Sequence, residues 1–303
     1  MKENLNPQTH QIKLPNKITL WVETFGSKSL PAVVLLNPGS GQCISWPDSF
    51  CSLLANDYYV IRFDYRDAGL SSPIIYEDEP YDLNDLFKDA LFILDHFNIA
   101  KAHFIGNSLG GFVLQYGAIN WPERIDKMCI MMSSPHHSIF YETLSGVESH
   151  YFKLPPPDKE LIKTIIEVSK QPKKANLMRI RQNLKLKKLA AGQGDVQFDQ
   201  AYWYHLEEQL QRRSINTPNT NINLANAIKK HPENRLEKLK SINIPTLIIH
   251  GEADPVFHSE HAQAMCSAIR NAKMMLIPNM GHNFEPYFIN NIHQAFKSFI
   301  FKS

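Results

Sequence analysis

The stretch AHFIGNSLGGFVLQYGA, residues 102–118, decides how the rest of the chain is read. It opens with an apolar run of strand length, 102–105. It then passes through Gly106-Asn107-Ser108-Leu109-Gly110-Gly111 and continues with Phe112, Val113, Leu114, Tyr116 and Ala118, a composition suited to a buried helix. Here G-x-S-x-G stands in the setting of strand, tight turn and helix, which holds the serine in a strained backbone conformation and pushes its hydroxyl above the sheet edge. Gly106 and Gly110 are required because side chains flanking so sharp a bend would collide. Ser108 also falls at a helix N-terminus, where the macrodipole and free backbone N–H groups favour negative charge. Taken alone, the stretch could be an ordinary Gly/Ser turn; partners further along the chain argue against that.

A serine hydroxyl is a poor nucleophile at neutral pH and needs a base within hydrogen-bond reach. The base in turn needs a carboxylate to fix its tautomer and stabilise the imidazolium. On an α/β sheet with this turn the order along the chain is Ser, acid, His. Asp254 lies in HGEADPV, just past the strand-like run IPTLIIH, and His282 lies in NMGH, just past MMLIP. Both are expected in loops on the sheet edge that carries Ser108. Glu252 is the alternative acid, but it sits nearer the strand end and is less able to reach across. The chain has 13 histidines, so one downstream of the serine means little by itself. His136, His137, His250, His258 and His261 fit the base position less well and read as polar surface or as supports around the site.

A developing oxyanion needs preorganised donors. One is expected from the backbone N–H after the nucleophile, Leu109. The other is expected from the loop NPGSG after the run AVVLL at 32–36. Pro38 has no N–H, so Gly39 is the candidate, with Ser40 behind it. Catalytic Ser108, Asp254 and His282 with an oxyanion hole at Gly39 and Leu109 make up the expected site.

Outward from that site, 18–22 alternates as a half-buried strand and forms an opening hairpin with 10–14. Residues 32–36 are the continuous aliphatic run of a strand covered on both faces. A helix over 49–55, a strand over 58–63 and a helix over 81–97, with Asp82 as its N-cap, come next. After the Ser108 turn and a strand over 127–132, the sheet pattern stops for about a hundred residues, far longer than an ordinary connection. Helices are expected there over 159–169, 176–191 and 198–213, with a shorter one near Ala225. Strands at 244–250 and 273–277 and helices at 259–269 and 287–299 close the chain. Alternating strands and helices imply an α/β fold, a doubly wound and mostly parallel sheet. Residues 1–134 and 242–303 are expected to form its core. Residues 135–241 read as an inserted helical cap over the carboxyl ends of the strands, where such sheets keep their ligand crevice.

The chain has 303 residues, 43% of them hydrophobic, and a formal charge of +2. Such a balance implies no overall attraction to nucleic acid or membrane. Cys43, Cys51, Cys129 and Cys266 are widely spaced, a usage that fits reduced thiols in a cytosol. The first residues, MKENLNPQTHQIKL, have no apolar core of signal-peptide length, and no run approaches the roughly 18 apolar residues of a membrane-spanning helix. A cytoplasmic protein is expected by elimination. Between Lys153 and Lys188 eleven basic residues face three acidic ones. That excess reads as a solvated helix face, or as attraction for an anionic substrate or partner.

These motifs in combination resemble the α/β-hydrolase fold superfamily over essentially the whole chain. The loop and WPDSF segment (residues 39–50), DYRDAGLS (64–71) and IPTLIIHGEADPVF (244–257) resemble the aclacinomycin methylesterase-like group. The resemblance implies a carboxylic ester hydrolase with a helical cap, no cofactor, no metal and a small-molecule ester substrate. Asp64, Arg66 and Gly69 match a stretch that is usually structural in the family. Asn37 stands where the family usually has His at the start of the oxyanion loop. The elbow also resembles that of carbon–carbon hydrolases, but Asn283 follows the histidine where those commonly have Trp. Acyl transfer to another acceptor and a non-catalytic ligand receptor are further alternatives on the same fold.

Overall fold

The computed structural model describes residues 6–147, 154–170, 176–193, 198–231, 233 and 235–301. Lys153, Lys173 and Lys174 of the basic run lie outside the described residues, as do the first five of the chain.

The strands are β1 (Gln8–Lys13), β2 (Thr19–Phe25), β3 (Ala32–Leu36), β4 (Tyr59–Phe63), β5 (Ala102–Asn107), β6 (Ile125–Met131), β7 (Thr246–Gly251) and β8 (Ala272–Ile277). They form one sheet in the order β1-β2-β4-β3-β5-β6-β7-β8. The β1–β2 hairpin is antiparallel and β2 pairs antiparallel with β4; from β4 to β8 every pairing is parallel. The AVVLL run shows why the central strands lack a polar face. Ala32, Val34 and Leu36 join the apolar cluster on one side of the sheet, Val33 and Leu35 that on the other. Both faces are covered, so the period of two leaves no position for a polar side chain.

The helices are α1 (Asp48–Leu54), α2 (Leu83–His96), α3 (Leu109–Asn120), α4 (Ile139–Leu144), α5 (Lys159–Ser169), α6 (Asn176–Ala190), α7 (Gln200–Arg213), α8 (Thr220–Lys229), α9 (Leu236–Leu239), α10 (Ser259–Ala268) and α11 (Ile289–Phe301). Phe50, Cys51 and Leu54 of α1 and Ile292, Phe296 and Phe299 of α11 pack on one face of the sheet. Helices α2, α3 and α10 pack on the other. α2 starts where Asp82 accepts from the amides of Asn84 (2.8 Å) and Asp85 (3.2 Å), while the Asp85 carboxylate accepts from the Asp82 amide (3.1 Å). Such a reciprocal box occupies amides the first turn leaves unpaired.

Among the described residues six helices, α4 to α9, lie between β6 and β7. Leu224, Ala227 and Ile228 of α8 and Leu239 of α9 belong to the core cluster of the sheet. The end of α6 runs instead along the loop after β8. The His282 amide donates to Ala190 O (2.7 Å), the Gly281 amide to Ala191 O (3.2 Å) and the Gln193 amide to Asn279 O (3.0 Å). DYRDAGLS is structural: Arg66 grips buried Asp89 through Nε (2.8 Å) and Nη2 (2.6 Å). Among the described residues no helix is long and apolar enough to cross a membrane.

Candidate active site

Four loops at the carboxyl ends of parallel strands meet: those after β3, β5, β7 and β8. The loop after β5 is the elbow. Ser108 has φ 52° and ψ −111°, a strained conformation for a residue with a Cβ. Its amide donates to Met131 O (2.8 Å) and its carbonyl accepts from Ser133 Oγ (2.7 Å), so the peptide is pinned to the end of β6. A Cβ on Gly106 would overlap the Gly110 carbonyl, and one on Gly110 would overlap the Leu36 carbonyl at the end of β3. The two glycines therefore let α3 start directly above the sheet and against the loop after β3.

Ser108 Oγ lies 3.0 Å from His282 Nε2, and His282 Nδ1 lies 2.8 Å from Asp254 Oδ2. With Nδ1 donating to the carboxylate, Nε2 is left as the acceptor for the serine hydroxyl. The other Asp254 oxygen accepts from the amides of Val256 (2.8 Å) and Phe257 (2.9 Å). Asp254 is 1% exposed. Burial opposes its ionisation, but the His282 charge and hydrogen bond, His250 and the Phe257 amide outweigh that and hold the carboxyl below its usual range. Glu252, the alternative acid, is exposed.

The histidines read as surface or support are largely interior. His250 is fully buried, its Nε2 2.5 Å from Phe257 O and 3.4 Å from Asp254 Oδ2. His261 sits between Ser134 Oγ (2.8 Å) and Pro155 O (2.9 Å), and burial pushes its pKa down to about 4. His137 stacks on Phe112 with centroids 5.1 Å apart and is pushed down to about 3, chiefly by burial. The Phe257 ring meets both His137 (5.0 Å) and His282 (5.6 Å), giving the base an apolar wall.

The Leu109 amide is the first of α3 and has no acceptor within the helix. In the loop after β3, the Gly41 amide donates to Pro38 O (2.9 Å), which puts Gly39 and Ser40 at the two central positions of a tight turn. Asn37 holds this turn to the sheet: its Nδ2 donates to Gly41 O (2.9 Å) and Phe63 O (2.6 Å). An amide is long enough to bridge those two carbonyls, which is what this chain does where the family usually has His. Cys43 beside the turn is fully buried, and burial and the nearby Asp64 push its thiol pKa up, so it is inert packing. Among the described residues no three His, Cys, Asp or Glu side chains are placed to hold a metal ion.

A family profile described as alpha/beta hydrolase fold matches residues 31–152. The chain is 30% identical over 271 residues to rhodomycin D methylesterase DnrP of Streptomyces peucetius, covering 88% of this chain and 90% of that protein. It is 26% identical over 259 residues to a 2-hydroxy-6-oxononadienedioate/2-hydroxy-6-oxononatrienedioate hydrolase of Escherichia coli, covering 82% and 80%. The fold superposes on bromoperoxidase from Bacillus anthracis with a TM-score of 0.78 at 20% identity, over 97% of this chain and 99% of that one. Fold and relatives together define the class: the chain belongs to the α/β-hydrolase fold family. Within that family it is methylesterase-like, a hydrolase of ester bonds.

Proposed function

We propose that the chain hydrolyses a small carboxylic ester through an acyl-Ser108 intermediate. The observation that carries this reading is the unbroken hydrogen-bonded series from Ser108 Oγ through the His282 ring to Asp254. His282 Nε2 takes the hydroxyl proton as Oγ attacks the ester carbonyl; Asp254 holds the ring and offsets the charge it gains. The Gly39 and Leu109 amides stabilise the oxyanion of the tetrahedral adduct. As that adduct collapses, His282 returns the proton to the departing alcohol, and the same steps with water free the acid and Ser108. Residues 135–241 act as a cap that selects the substrate over a core formed by 1–134 and 242–303. Helices α8 and α9 anchor that cap by adding Leu224, Ala227, Ile228 and Leu239 to the core cluster of the sheet.

A second reading, hydrolysis of a carbon–carbon bond, is favoured by the Escherichia coli relative. Against it, Asn283 serves a structural purpose here, donating to Lys187 O (2.6 Å) and Glu285 Oε1 (3.0 Å). Turnover of short p-nitrophenyl esters, compared with a 2-hydroxy-6-oxo-dienoate, separates the two. The ester reading expects ester turnover, labelling of Ser108 by a fluorophosphonate, and loss of both in Ser108→Ala. Ester turnover that survives Ser108→Ala would end the serine mechanism.

A further inference from the structure

The turn that carries Gly39 is gripped from two sides. On the core side, Asn37 reaches Gly41 O and Phe63 O, and the Tyr65 amide donates to Gly41 O (2.8 Å). On the other side the last turn of α7 reaches down to the residues just after the turn. Gln42 Nε2 donates to Leu210 O (3.0 Å) and to Ser214 Oγ (2.7 Å). Arg213 Nη2 donates to Asp64 Oδ2 (2.6 Å) and lies 3.5 Å from Cys43 Sγ. Asp64 is fully buried, and its other oxygen accepts from the Cys43 amide (2.7 Å). One carboxylate thus joins a guanidinium from α7 to the backbone of the loop after β3. Glu23 and Arg62, both buried and bonded to each other (2.8 Å), stand beside the pair, with Glu23 4.0 Å from Arg213. Arg62 also bridges Asp48 (2.6 Å) and Arg213 is partly buried, so buried Asp64 and Glu23 each rely on a guanidinium beside them, an arrangement stable only when each buried charge keeps its partner.

Between these two grips Gly39 and Ser40 are spanned by one turn hydrogen bond, Ser40 Oγ lies 2.7 Å from Ser45 Oγ in the flank beyond, and Gly39 itself is exposed. So short a segment is held only as well as its flanks. We propose that Arg213 is a positioning residue for the oxyanion donor, acting through Asp64 and the Cys43 amide to fix where the Gly39 N–H points. Seating of α7 over the sheet edge and completion of the oxyanion hole are then one event. This rests on the ester-hydrolysis reading above, because Arg213 matters to rate only if Gly39 binds the oxyanion.

The test compares wild type, Arg213→Gln, Arg213→Lys and Gln42→Ala on a short p-nitrophenyl ester, with far-UV circular dichroism checking the fold. Arg213→Gln is expected to lower kcat about tenfold to hundredfold, the scale of a misplaced donor, while KM stays within about threefold. Arg213→Lys, which keeps a cation for Asp64, is expected to recover most of the loss. A folded Arg213→Gln with unchanged kcat, or a loss confined to KM, overturns the proposal. Should Arg213→Gln not fold, Gln42→Ala decides. It removes the loop's other tie to α7 without stranding a charge; a kcat drop of about tenfold supports the coupling and an unchanged kcat rejects it. A wild type that neither turns over esters nor reacts with a fluorophosphonate brings down the ester reading and this proposal together.

Discussion

Replacing Asp254 by Asn changes one atom's hydrogen-bonding sense at the most constrained point of the site. Asp254 Oδ1 accepts from two backbone amides, those of Val256 and Phe257, and Oδ2 accepts from His282 Nδ1. An Asn keeping its carbonyl toward the two amides must turn its NH2 toward His282. Two donors then face each other, and the ring responds by moving its proton to Nε2, where it can no longer accept from Ser108. The opposite rotamer sets the NH2 against two backbone donors, leaving buried amides unpaired at about 1–3 kcal/mol each. The first arrangement therefore prevails, with the wrong tautomer and no carboxylate charge opposite the imidazolium. The loss expected is about 10⁴ in kcat, equivalent to about 5 kcal/mol of barrier. Initial rates on a short p-nitrophenyl ester measure it, with circular dichroism checking the fold. A folded Asp254→Asn enzyme within tenfold of wild type would refute both the tautomer argument and the assignment of Asp254.

Two other predictions test the frame around the site. Gly110→Ala places a methyl group on the Leu36 carbonyl; the elbow must shift, and a loss of about 1–3 kcal/mol in urea denaturation is expected together with activity, whereas an unchanged midpoint would show the contact can relax. His137 and His261 have folded-state pKa values lowered to about 3 and about 4, so the unfolded chain binds protons that the folded one refuses. Their contribution is whole above the ordinary value of 6.5 and is lost on acidification, by up to about 1.4 kcal/mol per pH unit for each. Denaturation midpoints should therefore fall steadily between pH 7 and pH 5, and the fall should be shallower in His261→Asn; a flat profile would mean the two rings are not held neutral.

Local signals in the chain carried much of the fold. The helix after Asp82 was legible because a capping residue precedes an apolar period of 3.6, and the structure starts α2 at Leu83. The covered strands were legible as unbroken aliphatic runs. Helices α4 and α9 were not, because six and four residues are too few to show a period. His250 and His261 could not be assigned to the interior from sequence, since a histidine's burial depends on whether Phe257 O, Ser134 or Pro155 is there to pair with it. The grip of α7 on the oxyanion loop was equally hidden: Arg213 and Asp64 are 149 residues apart, and nothing local marks them as partners.

By itself the sequence determined the elbow, the order of the candidate nucleophile, acid and base, and the parallel sheet that sets their loops on one edge. These follow from local rules: a bend only glycine tolerates, and strands that alternate with helices. Tertiary structure alone decided that Asn37 secures its loop, that His250 and His261 lie in the interior, and that α6 and α7 are tied to the two halves of the site. Such choices depend on distances of a few ångströms between residues far apart in the chain, and they are made only when the core has packed.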